Sequence, residues 1–220
     1  MSQQDSLEIY QLYIFLKGIS PMIWRRLLVE QDRSLADLHY AIQIAMGWDE
    51  IHLHQFDIWG KKYGLTYEGG ISFSDNARKV FLKDFQFRIN EKFVYEYNFS
   101  DHWVHAIRVE KILPIDSKKT YPICIGGSRA TPPEDCCGSL SFMQLKDHYS
   151  VWKIEENILE AVKQYEEDKD RESFNETIES LQYWLTFHKF DRKKINHHLQ
   201  HHFNFKEKSK LNVEEIKNED

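Results

Sequence analysis

The stretch KFVYEYNFSDHWVHAIRVEKIL, residues 92–113, carries the clearest β-hairpin signal in this chain of 220 residues. Aromatic and polar residues alternate along its first half, and residues 98–101 supply side chains that are typical of a tight turn. Because successive side chains of a strand point to opposite faces, this alternation predicts one buried face. That face is expected to carry Phe93, Tyr95, Tyr97 and Phe99 from the first strand, and Asp101, Trp103, His105, Ile107 and Val109 from the second.

Further strands are predicted on the N-terminal side of this hairpin. Residues 8–17 and 22–30 are rich in β-formers and flank the turn GISP, so we expect them to pair as a second hairpin. Residues 51–60 alternate in the same way and are predicted to be a strand with His52, His54, Phe56 and Ile58 on one face. Residues 60–79 are polar and favour a loop, and residues 79–85 favour a short helix.

The strongest helical pattern follows the first hairpin. Ser34 and Asp37 have the spacing of a capping box at its start, and Gly47 is placed as a C-terminal glycine. The apolar residues between them recur every three or four positions, which is typical of an amphipathic helix. They are Leu35, Leu38, Ile42, Ala45 and Met46.

Beyond residue 140 the sequence turns helical. Helices are predicted within residues 141–149, 157–168, 173–185, with Ser173 as a cap, and 191–202. The whole pattern predicts an α+β fold, in which an antiparallel sheet built from hairpins packs against one helix of the N-terminal half and a C-terminal set of helices. We expect a single domain over residues 7–204, sheet-rich in 7–125 and helical in 139–204, followed by a charged and disordered tail over 205–220.

The composition excludes some classes of function and partner. The formal net charge of −6 and a pI near 6.0 argue against duplex nucleic acid as the main partner, because phosphate binding needs a concentrated basic face. There is neither an apolar run of about 18 residues nor a basic region followed by an apolar stretch at the start, so we expect no membrane partner and no secretory signal. Three cysteines do not indicate a disulfide framework, and the protein is expected to be cytoplasmic.

A candidate site is suggested by the polar side chains on the predicted core faces. His52, His54 and His105, with Asp101 and Trp103 beside them, would gather at one end of the sheet if both segments share it. Imidazole and carboxylate groups can hold a divalent metal or act as acid and base. The alternative is that the histidines are hydrogen-bonded core residues and that Asp101 stabilises the turn.

The loop GGSRATPPEDCCGSL, residues 126–140, is the second candidate. Its double proline fixes two successive φ angles, and a stiff loop is a suitable support for the carboxylates of Glu134 and Asp135. These carboxylates could equally cap the helix that follows. Cys136 lies twelve residues after Cys124, which is not the spacing of a zinc ribbon, although a mixed site with histidine remains open.

Two arginines and four histidines complete the candidates. Arg25 and Arg26 lie next to each other in a predicted strand, so one of them faces the core and needs a carboxylate, for which Glu134 and Asp101 are available. An exposed edge strand is the alternative. The histidines His197, His198, His201 and His202 are expected to form a solvated polar face of a helix.

Five ordered stretches resemble one known family. They are LKGISPMIWRRLLV, LADLHYAIQIAMGWDEIHLHQFDIWGKKYG, YEYNFSDHWVHAIRVEKIL, YPICIGGSRATPPEDCCG and KFDRKKIN. Over roughly residues 8–200 the chain resembles the plasmid pRiA4b ORF-3-like family, some members of which are labelled passenger proteins of insertion elements. The resemblance implies an α+β fold and no established activity. Thr131 and Cys137 stand where members often have cysteine and glycine, and the missing cysteine at position 131 weakens a cysteine-based metal site.

Two functions remain open at this point. The first is an accessory or binding protein, not an enzyme, with a ligand or protein partner in a pocket beneath the double proline and no cofactor. The second is a metal-dependent hydrolase acting on a nucleic-acid or phosphoester substrate. Its divalent metal would be held by His54, His105, Asp101 and Cys136.

Overall fold

The computed structural model describes residues 7–64, 73, 75–150 and 153–217, with side chains described up to residue 204. Its strands are β1 Glu8–Leu16, β2 Trp24–Glu30, β3 His54–Ile58, β4 Lys61–Tyr63, β5 Lys92–Tyr97, β6 Trp103–Pro114 and β7 Ile123–Ser128. Its helices are α1 Leu35–Met46, α2 Gly138–His148, α3 Ile154–Asp168, α4 Arg171–Thr186 and α5 Arg192–Lys217. The predicted short helix is a 3₁₀ turn, Leu82–Phe85.

Within the described residues, the strands form one antiparallel sheet in the order β4-β3-β5-β6-β1-β2-β7. The hairpin of β1 and β2 joins the hairpin of β5 and β6 because β1 also pairs with β6. The predicted α+β class, with an antiparallel sheet built from hairpins, is therefore confirmed. One face of the sheet and helix α1 enclose the main core.

The alternation in residues 92–113 produces this core face as predicted. Phe93, Tyr95 and Tyr97 of β5 are buried, and so are the residues at alternate positions of β6 from Trp103 to Val109. Phe99 is only half-buried because β5 ends at Tyr97 and the turn begins. Asp101 also lies in this turn rather than in β6.

Helix α1 begins and ends as its sequence indicates. Ser34 Oγ accepts a hydrogen bond from the backbone N–H of Asp37 at 3.1 Å, and the Asp37 carboxylate accepts one from the backbone N–H of Ser34, also at 3.1 Å. Gly47 ends the helix at φ 80°, in the left-handed region that favours glycine. The capping box therefore fixes where α1 starts, and Gly47 fixes where it ends.

The prediction of one strand over residues 51–60 is wrong at both ends. Strand β3 begins only at His54, so His52 precedes it and does not share its alternation. Trp59 and Gly60 adopt φ values of 53° and 80°, which is typical of a two-residue hairpin turn. The chain then returns as β4 through a segment that the sequence predicted to be a loop.

The loop predicted over residues 126–140 also starts later than its composition indicated, because Gly126 and Gly127 belong to strand β7. Glycines are depleted in strands, which is why this strand is hidden in the sequence. Gly127 has a packing reason, since a Cβ atom there would lie 2.3 Å from the ring of Phe190. Gly127 therefore leaves room for the segment that joins α4 to α5.

Two helix ends differ from the predictions. Helix α4 is capped by Asp170 rather than Ser173, and the Asp170 carboxylate accepts hydrogen bonds from the backbone N–H groups of Glu172 and Ser173 at 3.0 and 3.2 Å. Helix α5 continues to Lys217, across most of the stretch for which the sequence predicted disorder. Lys and Glu are good helix formers, so a shortage of apolar residues does not by itself end a helix.

Helix α5 covers the edge of the sheet at β7. The side chain of Asn196 accepts a hydrogen bond from the backbone N–H of Cys124 at 2.7 Å and donates one to its carbonyl oxygen at 2.9 Å. One amide side chain thus pairs both backbone groups of an edge residue, as a neighbouring strand would. This contact fixes the first turns of α5 beside β7.

No helix among the described residues is both long and apolar enough to cross a membrane.

Candidate binding groove

The two histidines predicted to line a pocket lie inside the core. His54 and His105 are 2% and 0% exposed. The ring of His54 stacks on His39 of α1, with centroids 3.5 Å apart and planes inclined by 9°. His105 packs edge-on against Trp48 at 5.4 Å. His39 was missed by the sequence interpretation, although its position four residues after Leu35 places it on the apolar face of α1.

These imidazoles are uncharged at neutral pH. Burial, and secondarily His39, lowers the pKa of His54 to about 2. Burial lowers the pKa of His105 to about 3, and it also lowers the pKa of His39. His39 Nδ1 lies 2.7 Å from the hydroxyl of Tyr95, which accepts a second hydrogen bond from Gln43 Nε2 at 2.8 Å. Neutral, enclosed rings of this kind act as core residues rather than as acids or bases.

The double-proline loop is attached to the rest of the molecule through two tryptophans. Trp48 Nε1 donates a hydrogen bond to the carbonyl oxygen of Pro132 at 2.9 Å. Trp103 Nε1 donates one to the carbonyl oxygen of Glu134 at 2.8 Å. The loop therefore lies over the C-terminal end of α1 and the start of β6.

The carboxylates of this loop contact other parts of the protein. Glu134 accepts hydrogen bonds from the Tyr97 hydroxyl and from the backbone N–H of Asp49, the latter at 2.9 Å. Asp135 lies 2.7 Å from the imidazole Nε2 of His52, and both side chains are partly exposed. The predicted loop residues thus contact Tyr97 and His52, whereas His54 and His105 lie deeper.

The remaining predicted metal ligands are not assembled into a site. Asp101 lies in the hairpin turn, where its backbone N–H donates to Asn98 Oδ1 at 3.3 Å. Burial, followed by the nearby Asp101 carboxylate, raises the pKa of the Cys136 thiol to about 11, so the thiol is protonated and a poor ligand or nucleophile. Among the described residues, no three His, Cys, Asp or Glu side chains are arranged to hold a metal ion.

Arg25 is the arginine of the Arg25–Arg26 pair that faces the core. It is 2% exposed, and its Nε donates to the carbonyl oxygen of Ala45 at 2.8 Å. Its Nη1 donates to the carbonyl oxygens of Trp24 and Ser128 at 2.8 and 3.1 Å, and its Nη2 donates to Thr131 Oγ1 at 2.8 Å. The guanidinium group therefore ties α1, β7 and the double-proline loop together.

The acceptors that Arg25 has within the described part of the chain are all neutral, contrary to the expected pairing with Glu134 or Asp101. The carbonyl of Ala45 belongs to the last turn of α1, where the helix dipole supplies a partial negative charge. Burial lowers the Arg25 pKa to about 10, and the guanidinium lies 4.9 Å from the centroid of the Phe190 ring. Arg25 thus remains a buried cation without a carboxylate.

Arg26 takes the opposite face of the sheet, as alternation requires. It forms two hydrogen bonds with the carboxylate of Glu110, at 2.6 and 3.0 Å. The Glu110 carboxylate therefore neutralises the charge of Arg26, which lies on the other side of the sheet from Arg25.

A groove of about 700 Å³ adjoins Arg25, between the end of α1, the chain after β7 and the connection from α4 to α5. Its apolar lining consists of Ile44, Met46, Trp48, Ala130, Phe190 and Ile195. These residues come from three distant parts of the sequence, so no local motif marks the groove.

Positive charge predominates along this groove. Besides Arg25, its lining includes Arg129, Lys189 and Lys194, together with His198. The acidic lining residues are Asp49 and Asp191, and the Asp191 carboxylate is engaged by the backbone N–H of Lys194 at 2.9 Å, at the start of α5. The groove therefore combines an apolar wall with an excess of cations.

These features define an α+β protein with a cationic groove beside a rigid loop. The chain belongs to the family described as plasmid pRiA4b ORF-3-like protein, whose model matches residues 8–199. The resemblance carried by the five motifs is therefore confirmed.

Two other proteins are similar to this chain over most of its length. Uncharacterized protein y4hQ of Sinorhizobium fredii (strain NBRC 101917 / NGR234) is 30% identical over 137 residues, which are 62% of this chain and 70% of that protein. The crystal structure of MM3350, a protein of unknown function from Methanosarcina mazei Go1, matches with a TM-score of 0.61 and 32% identity, covering 85% of this chain and 97% of that one.

Proposed function

We propose that this is a binding protein, not an enzyme, whose groove accepts a ligand with an anionic group on an apolar body. The observation that carries this proposal is Arg25, a buried cation that lines the groove. Among the described residues, every hydrogen-bond acceptor of Arg25 is neutral. A buried charge is costly unless it is paired. An anion in the groove would supply the missing counter-charge, with Arg129 and Lys194 at the rim.

Binding rather than catalysis is favoured by the position of the histidines. His54 and His105 are held neutral in the core and do not line the groove. The three free cysteines fit a reducing cytoplasm, which we propose as the location. The site thus lies beside the double-proline loop, with Thr131 in its lining, rather than beneath it.

A matched set of small anions tests the ligand chemistry. We expect phenyl phosphate and benzoate to raise the midpoint of thermal unfolding in a saturable way. Inorganic phosphate should act more weakly because it lacks an apolar body, and benzyl alcohol should have no effect because it lacks charge. A ligand at ten times its Kd stabilises by about 1.4 kcal/mol. Equal effects of benzyl alcohol and phenyl phosphate would contradict the proposal.

Charge reversal at neighbouring lysines locates the binding. Lys194→Glu should weaken phenyl phosphate binding by about tenfold, since it replaces attraction by repulsion at the groove. Lys193→Glu is the matched control, because Lys193 is exposed, adjacent in α5 and outside the groove lining. The two variants have the same net charge. A difference between their phenyl phosphate affinities, measured by isothermal titration calorimetry, therefore reports a local contact of Lys194 rather than the overall charge of the protein. Equal losses in both would place the anion elsewhere.

The hydrolase alternative is tested by elemental analysis. We expect untagged protein to carry no stoichiometric zinc, iron or manganese, since the four predicted ligands are not grouped in the described structure. Near-equimolar metal that is lost in His105→Gln would contradict this expectation and favour the hydrolase.

A further inference from the structure

The sheet face opposite the core carries two aligned rows of side chains across β2, β1, β6 and β5. The first row is Arg26, Tyr13, Arg108 and Lys92, each directly opposite its neighbour in the strand register. The second row, two residues along each strand, is Trp24, Phe15, Ala106 and Val94. At a strand spacing of about 4.8 Å, each row spans about 14 Å. A cationic row thus runs beside an aromatic and small-residue row.

The aromatic and guanidinium groups of this face are in contact with each other. The ring centroid of Tyr13 lies 5.4 Å from that of Trp24 and 5.8 Å from that of Phe15. The guanidinium of Arg26 lies 5.3 Å and that of Arg108 5.4 Å from the Tyr13 centroid. All five side chains are partly exposed. They form a preordered set of planar groups, against which another planar group can stack.

The charges on this face are not balanced. Glu110 binds both Arg26 and Arg108, the latter at 3.2 Å, and is the one carboxylate near the cationic row among the described residues. Lys92 and Lys111 are exposed and have no ion-pair partner within the described part of the chain. The other acids of this face are Asp57 on β3, Glu96 at the end of β5, and Glu30 at the end of β2, where it pairs with Arg33. Positive charge is therefore concentrated at one end of the face.

Two depressions flank Arg108. One, of about 580 Å³, is polar and is lined by Arg26, Glu110 and Lys111 among others. The other, of about 220 Å³, is apolar and is lined by Phe15, Lys92 and Ala106. The apolar depression is suited to a planar base, and the polar one to an anionic group beside that base.

We propose that this sheet face binds single-stranded nucleic acid. Exposed bases stack on aromatic rings and guanidinium planes, and four-stranded sheets elsewhere hold two or three bases in this way. Lys92 and Lys111 would contact the phosphates. A duplex is not expected to bind, because its bases are already stacked and the face offers no element shaped for a groove. The net charge of −6 predicts modest affinity, and the phosphate contacts make that affinity fall as the salt concentration rises.

Fluorescence anisotropy with labelled oligo-dT and oligo-U ten-mers tests this proposal. We expect saturable binding at 50 mM salt and, for two phosphate contacts, about a sevenfold loss of affinity at 200 mM salt. Lys111→Glu should weaken binding about tenfold. Lys163→Glu on α3, which makes the same net-charge change at an exposed position, should leave it unchanged. Phe15→Leu keeps an apolar side chain but removes the ring, and should weaken binding about fivefold.

Several results would overturn the proposal. They are undetectable binding at 50 mM salt, equal affinity for a duplex of the same sequence, and equal losses in Lys111→Glu and Lys163→Glu. Binding of poly-glutamate in preference to both oligonucleotides would assign the face to an acidic protein partner instead. Thermal unfolding of each variant establishes that it is folded at the assay temperature. Because Lys194→Glu lies outside this face, it should leave oligonucleotide binding intact and so separates this site from the groove.

Discussion

Lowering the pH from 7 to 5 should remove about 4 kcal/mol of folding free energy through His54 and His105 alone. Burial holds their folded-state pKa values at about 2 and about 3, whereas the unfolded chain titrates near the ordinary value of 6.5. At pH values between the folded and unfolded pKa values, the unfolded state binds more protons than the folded state. The free energy of unfolding therefore decreases as the pH falls below about 6.5. Each histidine contributes a slope approaching 1.4 kcal/mol per pH unit. The loss is a large share of the total of about 5–15 kcal/mol that is usual for a domain.

Urea unfolding between pH 7 and pH 5 measures this dependence. His54→Gln should make the slope shallower by about one proton, even though losing the stack with His39 lowers stability at pH 7. His201→Gln is the control, because it removes an exposed imidazole of α5 in place of a buried one. The same slope in wild type and His54→Gln would show that His54 already titrates normally in the fold.

Gly138→Ala should be the most damaging single methyl addition near the double-proline loop. Gly138 has φ 81°, and a Cβ atom there would lie 2.4 Å from the backbone oxygen of Asp101. The left-handed backbone costs about 1–2 kcal/mol for a non-glycine residue. The clash with a backbone atom adds about 1–3 kcal/mol, so we expect a total loss of about 3 kcal/mol or more.

Gly47→Ala provides the matched comparison. Gly47 has nearly the same φ, 80°, but none of the described atoms would lie within 4 Å of a Cβ atom added there. Its substitution should therefore cost only about 1–2 kcal/mol, the cost of the left-handed backbone. Denaturant unfolding of both variants isolates the contact between the start of α2 and the hairpin turn. Equal losses would mean that the loop does not rest on Asp101.

Local signals were sufficient to predict the elements that build the core. Alternation between Phe93 and Val109 identifies the β5–β6 hairpin, and the capping residues Ser34 and Asp37 identify α1. Strand β7 escaped prediction because Gly126 and Gly127 have low strand propensity, although Gly127 is needed at its position because a larger residue would clash with Phe190. The strand is defined by pairing with β2, which is a long-range contact.

The candidate sites were harder to predict because the residues that form them come from distant parts of the sequence. Arg25 was expected to pair with a carboxylate, but its hydrogen bonds go to Thr131 Oγ1 and to backbone carbonyls, which every residue carries, so its charge has no counter-charge among the described residues. The groove combines the end of α1 with Phe190 and Lys194, and long-range contacts such as the docking of Asn196 on Cys124 bring these parts together. The rows on the outer sheet face depend on strand order, which the sequence did not specify.

An NMR titration that follows the Nε–H signal of Arg25 decides whether the groove binds anions, because this group is buried and hydrogen-bonded to Ala45 at the groove. With phenyl phosphate added at constant ionic strength, we expect a saturable shift of this signal together with the backbone amides of residues 129–131 and 189–191. Lys194→Glu should weaken that titration and Lys193→Glu should not. An unchanged Arg25 signal, with shifts confined to other surfaces, would contradict the assignment of the groove as an anion-binding site.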